Sequence, residues 1–236
     1  MAVDPGAELQ LASWRRTIAE LYADVRAFAD ERPEVAWQHW IDVRERLYKT
    51  HPQSPVPATD RPTFRARHWP YDPALRFEAI LEPEPAAPVG AGGLAGAGGL
   101  GAAGGLGAAG GLGGLSMALP NSGADTLSFR RIGSLAIPFP VGERRLSLFW
   151  MEGYAGGLFL PFRDATNGAE TYGAGRYVID AAKSADLGGD PDRGTVIVDF
   201  NFAYQPSCAF DPRWACPLAP PENRLDIPVA AGERIA

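Results

Sequence analysis

The chain has 236 residues, 46% of them hydrophobic and 21% charged, with 22 Lys plus Arg against 28 Asp plus Glu and a formal net charge of −6. That composition describes a globular chain long enough for one sizeable core and excludes a wholly disordered one. The acidic excess is spread along the sequence, so the long basic footprint that nucleic-acid binding needs is not expected.

Residues Leu11, Trp14, Ile18, Leu21, Tyr22, Val25 and Phe28 recur at three- and four-residue intervals. This spacing predicts an amphipathic helix over 11–29. A second helix starts at Pro33, carries the apolar stripe Trp37, Trp40, Ile41, Leu47 and Tyr48, and ends at His51-Pro52. Residues 1–52 therefore read as an N-terminal helical hairpin with two apolar stripes to bury.

From Leu75 the period changes to two. Short apolar runs at 75–81, 127–137, 146–151, 158–162, 176–179, 195–204 and 225–229 are each bounded by Gly, Pro, Asn or Asp. The predicted class is mainly β, an antiparallel β-sandwich or partly closed barrel built from residues 53–236 with the helices packed outside it. The glycines of 153–157 predict a hairpin turn. A six-residue Gly/Ala/Leu repeat within 90–115 predicts a disordered loop. Its match to G-x-G-x-x-G, Gly99 to Gly104, is produced by the repeat, because no strand precedes it and its glycines oppose a following helix.

The last third carries the candidate chemistry. Alternation over 195–204 puts Val196, Val198, Phe200, Phe202 and Tyr204 on one strand face and Asp199 with Asn201 on the other. These two polar groups can grip a ligand, or tie down the proline-rich loop that follows. Asp164 and Arg176 flank a turn-rich connection. They form either a forked ion pair bracing it or a recognition pair for an anionic ligand. Glu222 joins Asp164 and Asp199 as a possible acid or base if the three converge. Cys208 and Cys216 are separated by seven residues, unlike a zinc knuckle or a redox pair, and are expected as thiols. The histidines His39, His51 and His68 all lie far upstream, so no metal site is expected.

The segments 159–177 and 199–204, with the stretch from Cys216 through Glu222-Asn223-Arg224-Leu225 and the ending Ala231-Gly232-Glu233, closely resemble the domain-of-unknown-function family numbered 1684, in its short form. The likeness runs from about Trp40 to Glu233 and includes Asp164, Gly168, Thr171, Tyr172, Gly175 and Arg176. It implies kinship with bacterial and archaeal proteins, and no activity, cofactor or mechanism. The Gly/Ala/Leu repeat departs from that pattern.

The expected function is a β-rich intracellular domain that binds a small polar or anionic ligand through Asp164, Thr171, Tyr172, Arg176, Asp199, Asn201, Tyr204, Glu222 and Asn223. The rivals are a hydrolase using Asp164, Asp199 or Glu222, and a scaffold in which these groups only brace the loop. No cofactor is named, and no nucleic-acid or membrane partner is expected. The acidic N-terminus has no export pattern and no long apolar span occurs, which points to the cytoplasm.

Overall fold

The computed structural model describes residues 5–84, 116–120, 122, 127–153 and 156–235. Helix α1 spans Pro5–Phe28 and α2 spans Pro33–Thr50. The first begins earlier than the apolar stripe predicts. Ala7, Glu8, Leu9 and Gln10 are good helix formers, and an exposed first turn needs propensity rather than a buried face. Pro33 opens α2, Lys49 lies in its last turn, and the extended backbone of His51 ends it before Pro52.

The strands are β1 (Arg67–His68), β2 (Arg76–Pro83), β3 (Ser116–Ala118), β4 (Ser128–Phe139), β5 (Gly142–Met151), β6 (Gly157–Phe162), β7 (Arg176–Asp180), β8 (Gly189–Asp190), β9 (Thr195–Asp199) and β10 (Glu233–Arg234). Antiparallel pairing gives the order β7-β6-β5-β4-β2-β9-β8, with β3 beside β4 and a separate β1-β10 ribbon. The sheet curls until β7 meets the segment after β9, where Tyr177 and Tyr204 exchange two backbone hydrogen bonds of 3.0 Å. This makes a partly closed barrel, one of the two expected forms, with the helical hairpin against its outside.

Two cores follow from this wrapping. Inside the barrel, Leu135, Ile137, Leu146, Leu148, Leu160 and Val198 surround Phe200, whose ring lies 5.1 Å from Phe162 and 5.2 Å from Phe139. Outside it, Phe129, Phe149, Phe159 and Tyr177 meet Ile18, Leu21, Tyr22, Val25 and Trp40 of the hairpin. A register shift between Arg131 and Gly133 serves both. The irregularity offsets the strand alternation, so odd-numbered Phe129 faces the helices while odd-numbered Leu135 and Ile137 face the barrel interior. Gly133 lies so close to the neighbouring strand that a Cβ there would stand 2.3 Å from the Glu82 carbonyl oxygen.

Two expected strands are corrected. The run at 195–204 stops at Asp199 and turns into a 3₁₀ turn over Phe200–Phe202, because the Asp199 carboxylate accepts the Asn201 backbone N–H at 3.0 Å. Phe200 then enters the barrel and Phe202 packs under the helices, so the predicted single face is divided. Residues 225–229 form no strand: the Val229 N–H goes to the Asp164 carboxylate instead of a ladder. In the expected turn at 153–157, residues 154–155 lie outside the described residues, although Met151 pairs with Gly157 across its base. The Gly/Ala/Leu repeat at 90–115 also lies outside them.

Candidate functional site

The nine residues singled out by sequence do not gather around one cavity. Asp164 and Arg176 form an ion pair of 3.1 Å with both side chains fully excluded from solvent. The second Asp164 oxygen accepts from the Thr166 hydroxyl at 2.7 Å, and Thr171 continues that chain to Thr166 at 2.8 Å. Arg176 spends its terminal nitrogens on Asp164 and on the carbonyls of Val229 (2.9 Å), Ala231 (2.5 Å) and Glu233 (3.2 Å). Its guanidinium lies between the rings of Trp69 and Phe162. Burial lowers its pKa to about 10, with Asp164 acting in the opposite sense, so it stays charged. The group is a clamp on the C-terminal segment: its Nε has no hydrogen-bond partner, but the side chain is fully excluded from solvent and presents no accessible face for an anionic ligand.

Asp199 and Asn201 also face inward. The Asn201 amide bonds Asp199 at 2.8 Å and both the N–H and the carbonyl of Asp72 at 2.8 Å, which pins the segment leading into β2. The remaining Asp199 oxygen lies 3.7 Å from the Arg76 guanidinium. Burial pushes the Asp199 pKa up to about 6, despite the lowering effect of Asn201 and Arg76. Asn223 is buried and joins β5 to β6 through Ser147 and the Pro161 carbonyl. Glu222 is on the surface. Asp164, Asp199 and Glu222 thus occupy separate environments, and the acid-base set that required their convergence is corrected.

Tyr204 and Tyr172 lead to a different place. A cleft of about 250 Å³ opens between α1 and the loop after β9, walled by Leu11, Trp14, Ile18, Lys183, Trp214 and Cys216. It shares Trp14, Ile18, Lys183 and Ser207 with a smaller recess of about 40 Å³, whose inner end holds Tyr22, Arg44, Tyr48, Tyr204 and Gln205. That recess has room for one water or one polar atom of a ligand.

Its polar lining includes a buried donor without a partner. Gln205 is buried; its side-chain oxygen accepts the Tyr172 N–H at 3.0 Å, while Nε2 has no protein partner. Arg44 pairs with Glu233 at 2.8 Å and sits beside the rings of Trp40, Tyr48 and Tyr204. Burial opposes its charge, but Glu233 and Tyr48 more than offset this and raise its pKa. Glu233 also accepts from the Tyr48 hydroxyl at 3.1 Å and the Gln205 N–H at 2.9 Å. At the rim, half-exposed Lys183 pairs with Asp180 at 2.9 Å, and Asp180 accepts the Tyr204 hydroxyl at 3.0 Å. Arg15 adds an exposed positive charge with no ion pair among the described residues.

A wider groove of about 590 Å³ beside β2 is lined by charges that neutralise each other, Arg76 with Asp30 at 2.5 Å and Arg193 with Glu78 at 2.5 Å. Its one buried donor without a hydrogen bond among the described residues, Arg76 Nη1, faces the Asp199 carboxylate at 3.7 Å, so its charge is already compensated. Sequence reasoning missed Arg44, although its place between Trp40 and Tyr48 on the apolar stripe of α2 was a readable signal. Gln205, Lys183 and Glu233 gave no such signal.

Among the described residues, no helix is long and apolar enough to cross a membrane, and no group of three or more metal-binding side chains is assembled. A family profile described as "Protein of unknown function (DUF1684)" matches residues 114–234. The solution NMR structure of an uncharacterized protein from Haloarcula marismortui is 28% identical, covers 87% of this chain and 96% of its own, and superposes with a TM-score of 0.56. No curated protein matches.

Proposed function

The chain belongs to the DUF1684 family of unknown function, and from the geometry of its cleft we propose that it is a small-molecule-binding protein whose ligand has a flat apolar body and an anionic head. The site is the cleft between α1 and the 205–216 loop. The carrying observation is the buried Gln205 amide, whose Nε2 lacks a protein partner in a recess reached through aromatic and aliphatic walls. An unsatisfied buried donor costs free energy, and a ligand acceptor recovers it.

Lys183 and Arg15 favour an anion at the rim, while Trp14 and Ile18 supply apolar surface. Of the residues chosen from sequence, Tyr204 lines the recess and Tyr172 orients Gln205. Asp164, Thr171, Arg176, Asp199, Asn201, Asn223 and surface-exposed Glu222 line neither the cleft nor the recess, and the buried six of them brace the fold. The reading places the protein in the cytoplasm, where thiols such as Cys208 and Cys216 stay reduced, and invokes no nucleic-acid or membrane partner.

The test uses 2-naphthoate as probe and the uncharged naphthalene-2-carboxamide as control, with binding to the full chain followed by calorimetry. Saturable binding of the carboxylate is expected, weaker by about tenfold for the amide and again in Lys183→Ala, a loss of about 1.4 kcal/mol in each case. Gln205→Leu should weaken it similarly. Absence of saturable binding, or equal affinity in the parent chain and both variants, overturns the proposal.

A further inference from the structure

The 205–216 loop brings together two sulfurs that the ligand reading does not use. Cys208 lies in a 3₁₀ turn over Ser207–Ala209, and its backbone N–H points at the Cys216 sulfur at 3.4 Å. Both thiols are free, with residue exposures of 8% for Cys208 and 3% for Cys216. Ser122 holds the Cys216 segment in place: its hydroxyl accepts the Cys216 N–H at 2.8 Å, and its own N–H bonds the Cys216 carbonyl at 3.1 Å. Cys216 and Ser207 both line the 250 Å³ cleft, which provides a route for a small oxidant.

We propose that Cys208 and Cys216 are a hydroperoxide-reactive dithiol that closes reversibly to an intramolecular disulfide. In the first step the Cys208 thiolate attacks one oxygen of the hydroperoxide, the O–O bond breaks, and hydroxide or alkoxide leaves to take up a proton. Cys208 is then a sulfenic acid. In the second step the Cys216 sulfur attacks the Cys208 sulfur, forming the S–S bond and expelling hydroxide, which takes the Cys216 proton and leaves as water. With hydrogen peroxide the sum is two thiols plus one peroxide giving one disulfide and two waters.

The surroundings assign the two roles. The Cys216 thiol donates toward Cys208 and lowers its pKa to about 6; burial acts the other way, and the hydroxyls of Ser122 and Tyr172 beside the sulfur help the lowering. The same contact, with burial, raises the Cys216 pKa, and the Cys208 backbone N–H and, more weakly, the Lys183 ammonium only partly oppose this. Cys208, the more exposed of the two sulfur-bearing residues at 8% against 3%, is the attacking sulfur and Cys216 the resolving one. The inference does not depend on the ligand proposed for the cleft.

The experiment adds hydrogen peroxide in small excess to the reduced full chain, quenches with iodoacetamide in denaturant, and maps peptides by mass spectrometry. The expected product is a 208–216 disulfide, with no sulfinic acid, that dithiothreitol reverses. Cys216→Ser should instead accumulate a sulfenic acid on Cys208 that dimedone traps. Between pH 7 and pH 6 the native reaction should slow by about twofold, whereas the same chain in denaturant slows by about tenfold, as an ordinary thiol does. The denatured control uses the parent sequence, so the comparison holds even if a variant folds poorly. Overoxidation without a disulfide, intermolecular dimers as the main product, or a native pH dependence equal to the denatured one overturns the proposal.

Discussion

Arg44 on α2 and Glu233 on β10 meet at 2.8 Å, with side-chain exposures of 6% and 3%, and this ion pair joins the helical hairpin to the far end of the sequence. A buried charge deprived of its partner is costly. Glu233→Gln or Arg44→Met should each lower unfolding free energy by about 3–5 kcal/mol. Urea denaturation followed by circular dichroism measures this, and a loss below 1 kcal/mol would show the pair to be incidental.

Arg176→Lys keeps the charge but loses the fork that spans Asp164 and the carbonyls of Val229, Ala231 and Glu233. A lysine cannot reproduce that planar set, so a loss of about 3 kcal/mol is expected. Hydrogen exchange should show the amides of 229–234 opening first. Unchanged protection there would contradict the clamp.

Asp199 supplies a pH signature. Its folded pKa, raised to about 6, exceeds that of an unfolded aspartate, so the native state binds this proton more tightly than the unfolded chain does. The associated stability is fully present below about pH 4 and is lost as pH rises through about 6, with a size of about 3 kcal/mol at most. Asp199→Asn retains an oxygen for the Asn201 N–H and removes the titration. Its unfolding free energy relative to the parent chain should therefore increase from pH 4 to pH 7; denaturant titrations over that range that run parallel would refute the assignment.

Gly175, immediately before Arg176, has φ +105°, and a Cβ there would lie 2.4 Å from the Phe162 carbonyl oxygen. Gly175→Ala combines strain with a backbone clash and should cost at least about 2 kcal/mol. Gly173→Ala, where nothing lies within 4 Å of the new atom, should stay within about 0.5 kcal/mol. Thermal melting of the two variants side by side distinguishes them.

The helices and most strands were legible because burial imposes a period on the sequence, as Trp40 with Leu47 and Leu146 with Leu148 illustrate. Alternation failed at Asp199, where one side-chain bond to the next-but-one amide turns the backbone and outweighs the apolar pattern of Phe200 and Phe202. Asp164 and Arg176 were readable as a pair. Whether they brace or bind was not, since that depends on carbonyls from 229–233, more than fifty residues downstream of Arg176. The cleft was unreadable for a related reason: α1, Lys183 and Gln205 lie on segments distant in sequence, and no local spacing announces their meeting.

The Arg44–Glu233 pairing also sets an order for vectorial synthesis. The hairpin leaves the ribosome long before residue 233 is made, so Arg44 cannot be neutralised in its final seat while the barrel is being translated. Docking of the hairpin must wait, and until then Trp40 and Tyr22 present a sticky face to the crowded cell.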